Sequence, residues 1–82
     1  MGIEQFLSAE DKKAALGEVK SLLEREIYFL CLKTGVDPEE IDPETFTAQG
    51  VINPVPVSMM TYQIIETHCK NLVAVTAKLA TM

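Results

Sequence analysis

Three side chains of this 82-residue chain belong to types that carry out nucleophilic or acid–base chemistry: Cys31, Cys69 and His68, the only histidine. A cysteine paired with a histidine can form a thiolate when the imidazole takes the thiol proton. Adjacent positions on a helix cannot build that pair, because consecutive side chains leave the axis about 100° apart. His68 and Cys69 therefore do not face each other, and no third group is in place to orient either one. Both cysteines sit in apolar helical contexts and read as small buried hydrophobes. A disulfide between the two helices stays open as an alternative, although two cysteines do not make a disulfide framework. His68 reads as an exposed or edge residue.

Metal chemistry fares no better. One histidine and two cysteines lack the paired ligand spacing of a structural zinc site. The acidic run Asp37, Glu39, Glu40, Asp42 and Glu44 superficially suggests a calcium loop, but it has no glycine at the sharp turn, and Pro38 and Pro43 interrupt the ligand spacing. Gly2, Gly17, Gly35 and Gly50 are isolated, so no phosphate-cradling loop is present. The expectation is a non-catalytic chain with no cofactor and no metal.

The acidic run has a structural use. Asp37-Pro38-Glu39-Glu40 places an N-cap, a proline at the first helical position and a glutamate at the third, and Asp42-Pro43-Glu44-Thr45 starts the same device again. Two short helical turns follow, with Ile41 and Phe46 as anchors into a core. As an alternative role, five carboxylates in eight residues would steer a basic partner.

These turns lie in a connector, residues 35–57, between two long helices. The first is predicted from Ser8, an N-cap with Glu10 and Asp11 in the first turn, to Thr34. Lys33 in the last turn, Gly35 suited to a left-handed ending and apolar Val36 behind it form the stop signal. Leu16, Val19, Leu23, Ile27 and Leu30 recur at three- and four-residue steps, with Glu18, Ser21, Glu24 and Arg25 largely opposite. From Ile27 to Leu32 no polar face remains. The second helix is predicted from Ser58 as N-cap to about Ala80, with a seam of Tyr62, Ile65, Cys69, Leu72, Thr76 and Leu79. Glu66 and Lys70 form an i,i+4 pair on another face. Asn53-Pro54 and Pro56 predict an extended lead-in over Gly50 to Val57.

Composition limits the rest. Eighty-two residues make one domain, all-α, spanning 1–82. A net charge of −5 without a Lys/Arg cluster argues against direct nucleic-acid binding. The longest strongly apolar run has six residues, far short of the ~20 needed to span a membrane, and the expected setting is cytoplasmic.

Charge is distributed unevenly: residues 1–46 hold eleven of twelve acids and five of seven bases, whereas residues 47–82 hold only Glu66, Lys70 and Lys78. The second half, with Val51, Ile52, Val55, Val57, Met59, Met60, Ile64 and Ile65 besides its seam, carries more apolar surface than one companion helix covers. The reading is a protein-protein interaction module, a homo-oligomeric adaptor or assembly subunit whose two helices pair with a second copy into a bundle. Its expected interface comprises Tyr28, Phe29, Leu32, Met59, Met60, Tyr62, Ile65, Leu72 and Leu79. The alternative is a monomeric acidic inhibitor or immunity-type protein that meets a basic protein target through residues 37–44 and the first helix.

Overall fold

The computed structural model describes residues 2–51 and 58–82, without the side chain of Glu4. The described residues are helical, with no strand: α1 spans Ala9–Thr34 and α2 spans Met59–Ala80. Short 3-10 turns occupy Ile3–Phe6, Pro38–Glu40 and Ala48–Gly50.

The start of α1 is set by Ser8, whose extended backbone lets its hydroxyl accept from the Asp11 N–H at 3.1 Å. Such a cap stabilises a helix by about 1 kcal/mol relative to alanine. At the other end Gly35 adopts φ 74, and the Gly35 and Val36 N–H groups both donate to the Cys31 carbonyl. That left-handed ending turns Val36 back onto the core. α2 begins where expected, but Ser58 does not cap it. Its backbone sits at φ −100, ψ 0, outside the extended region a capping residue uses, and its side chain makes no capping hydrogen bond.

The helices run antiparallel. Thr34 and Tyr62 line one surface groove, Lys20 and Thr76 another, and Leu16, Lys78 and Met82 a third, so rising numbers on α1 meet falling numbers on α2. Between them lies the core: Ile27, Cys31, Ala48, Tyr62, Ile65, Cys69 and Leu72, flanked by partly buried Leu23, Leu30, Val36, Ile41, Phe46, Val51 and Met59. Tyr62, Ile65, Cys69 and Leu72 follow the predicted seam of α2, and Ile41 and Phe46 anchor the connector as expected.

The seam fails toward the open end of the hairpin. Thr76 is exposed, because the groove beside it is lined from α1 by Lys20 and Glu24, whose charged ends stay in water. Val19 is also largely exposed; eight residues before Ile27, it leaves the axis roughly 80° from the inward direction.

The connector folds into local turns. Asp37 Oδ1 accepts from the Glu39 N–H and Asp42 Oδ1 from the Glu44 N–H, each at 3.0 Å. Each bond reaches two residues ahead, one short of the capping-box partner, because the segments form a single 3-10 or tight turn and not an α-helix. The lead-in Asn53-Pro54 and Pro56, with Ile52, Val55 and Val57, lies outside the described residues.

Two helices and a connector do not close into a sphere. The Cα radius of gyration is 14.9 Å and the extents are 46 × 24 × 18 Å, against about 12 Å for a compact domain of this length. The accessible surface is 6108 Å², where a compact monomer of this mass exposes about 4,900 Å².

Candidate functional site

Large apolar side chains stand on the surface, and their location differs from the one the charge distribution suggests. Leu22, Tyr28, Phe29 and Leu32 on α1 are each more than half exposed, as are Ile3 and Phe6 before it. On α2 only Met60 among the described residues is as open, with Ile64 less so. α2 directs its large apolar side chains mainly inward, while the charged first half shows large ones to solvent. α1 therefore carries large apolar side chains on two sides. At 100° per residue, Leu23, Ile27 and Cys31 face α2, whereas Leu22, Phe29 and Leu32 project from the opposite side.

The nine residues expected at an interface divide accordingly. Tyr28, Phe29, Leu32 and Met60 lie on the surface, and Met59 and Leu79 are half-buried. Tyr62, Ile65 and Leu72 are buried between α1 and α2 of the same chain. Their 3-4 spacing marks a packing seam, and α1 is the surface that fills it; periodicity alone cannot distinguish a partner helix in the same chain from one in another. Leu22 was missed, because Glu18 and Arg25, one turn to either side of it, made that side of α1 look polar.

Phe29 is further shaped by Lys33, whose ammonium stands 5.4 Å from the ring centroid. A cation over the ring face favours this placement electrostatically and keeps a positive charge at the edge of the apolar strip.

Asp37, Glu39, Glu40, Asp42 and Glu44 are all exposed, so the acidic face is available along the connector. Asp37 and Asp42 are used locally as acceptors in the turns, while Glu39, Glu40 and Glu44 project without an ion pair.

Cys31 and Cys69 are free thiols on facing helices, both fully buried. Burial pushes the Cys31 thiol up, helped by Asp37. Cys69 rises to about 11, first through burial, then through the nearness of Cys31 and Glu66. Such thiols stay protonated at neutral pH and are poor nucleophiles. His68 is half-buried on the neighbouring side of α2 and does not share the cysteine pocket. Among the described residues no three His, Cys, Asp or Glu side chains converge to hold a metal ion. Nor is any described helix long and apolar enough to cross a membrane.

No protein-family model, curated protein or solved structure matches the chain.

Proposed function

We propose that this protein is a non-catalytic protein-protein interaction module that works as a homo-oligomer, an adaptor or assembly subunit. The observation that carries the reading is the outward apolar strip on α1, Leu22, Tyr28, Phe29 and Leu32, on a chain exposing 6108 Å². Relative to a compact monomer the excess is about 1,200 Å², more than the ~800 Å² per partner of a standard interface. Several large apolar side chains exposed together in this way usually mark a contact.

Light scattering across a concentration series tests it. A mass of twice 9.1 kDa or more is the expected result. A monomer at every concentration would sink the reading.

A second reading draws on the exposed carboxylates of residues 37–44. They would attract a basic protein target, with binding that weakens steeply as salt rises. Replacing Glu39, Glu40 and Glu44 with glutamine should abolish that capture while leaving the helical fold unchanged.

A further inference from the structure

Resting on the self-association reading, we infer that the partner is a second copy laid antiparallel along the outer side of α1, with the two-fold axis passing beside Leu22. Three features of α1 lead to this arrangement.

The first is size. The outer side of α1 changes along its length: Ala14, Ala15 and Ser21 in the N-terminal half, then Phe29 and Leu32 in the C-terminal half. A parallel pairing would set large against large and leave a gap beside small. An antiparallel pairing about Leu22 sets Phe29 level with the partner's Ala15 and Leu32 within about 3 Å, along the axis, of the partner's Ala14. Leu22 meets the partner's Leu22. Interlocking of large and small side chains is what lets helices approach closely.

The second is charge. Glu18 and Arg25 lie on the same outer strip at nearly equal distances either side of the axis, so each Glu18 comes level with the partner's Arg25. Within one chain they stand roughly 10 Å apart along the helix, too far to pair. The ion pair found among the described residues is Lys70 with Glu66. The same symmetry brings Lys33, already positioned over Phe29, level with the partner's Asp11. Opposite charges meet at two places in each half.

The third is area. The exposed excess relative to a compact monomer exceeds what one partner of a standard dimer buries. Because α2 packs on the opposite side of α1, the dimer sets four helices side by side as α2, α1, α1, α2, and not the closed bundle that the sequence suggested.

The test is a charge exchange, read by sedimentation equilibrium of the full chain with far-UV circular dichroism to verify unchanged helicity. Glu18→Arg alone and Arg25→Glu alone each place like charges together twice per dimer, and each should weaken dimerisation by about tenfold or more at low salt. The double variant Glu18→Arg with Arg25→Glu should restore the wild-type association. Ile64→Glu, on α2 away from this strip, should leave it unchanged. A dimeric wild type that ignores the single exchanges, or that the double variant fails to restore, overturns this geometry while the self-association reading stands. A dimer lost only with Ile64→Glu does the same. A monomeric wild type overturns both.

Discussion

The backbone N–H of Ala48 donates to Oε1 of Glu66 at 2.8 Å, across 18 residues of chain. The other oxygen of the same carboxylate accepts from Lys70 Nζ at 3.3 Å. Ala48 is itself buried in the core, so its N–H lies where water reaches poorly and an acceptor must be supplied. Glu66 thereby fastens the connector to α2.

Glu66→Ala should release the connector before it unfolds the hairpin. Amide exchange at Ala48 and protease cleavage within residues 37–50 should both quicken, while α1 and α2 keep their protection. Unchanged exchange at Ala48 would mean that Glu66 adds nothing to the docking.

The Ala48 bond, then Lys70, holds the Glu66 carboxyl below its ordinary value of 4.5. Its folded pKa is depressed, so its contribution is complete above the unfolded value and is lost as pH falls through the lower folded one. Denaturant midpoints measured below pH 4.5 should therefore decline less steeply in Glu66→Gln than in the wild type.

Cys31 and Cys69 should resist thiol reagents at neutral pH, labelling only at the rate of global unfolding. Cys69 titrates near 11 when folded and near 9.0 when unfolded. With the folded value raised, stability is complete below pH 9.0 and falls as pH rises through 11, since the unfolded chain loses its proton first. Rapid labelling of either cysteine in the native state would contradict this packing.

Ile65 is wholly buried between the helices. Ile65→Ala should destabilise the chain by about 2–5 kcal/mol in urea titration, a large share of what so small a core supplies. Leu79→Ala, at a half-buried site where the seam has opened, should cost clearly less.

Gly35→Ala should cost about 1 kcal/mol through backbone strain alone, because φ is 74 and an added Cβ meets nothing within 4 Å. Gly17→Ala, in an ordinary helical conformation, should raise the melting temperature of the dilute protein instead.

The sequence by itself determined the two helices, the cap at Ser8, the left-handed stop at Gly35 and the turns begun by Asp37 and Asp42, because these rest on bonds within a few residues. It also determined the inward seam of α2 from Tyr62 to Leu72, since helical periodicity alone gathers those residues on one side. Tertiary structure decided what fills that seam, the antiparallel sense of the pair, the second bond of Glu66 and the side of α1 left bare. Each of these depends on where a distant segment comes to rest: α1 takes the seam that could have met another chain, and Leu22, Phe29 and Leu32 are left facing solvent.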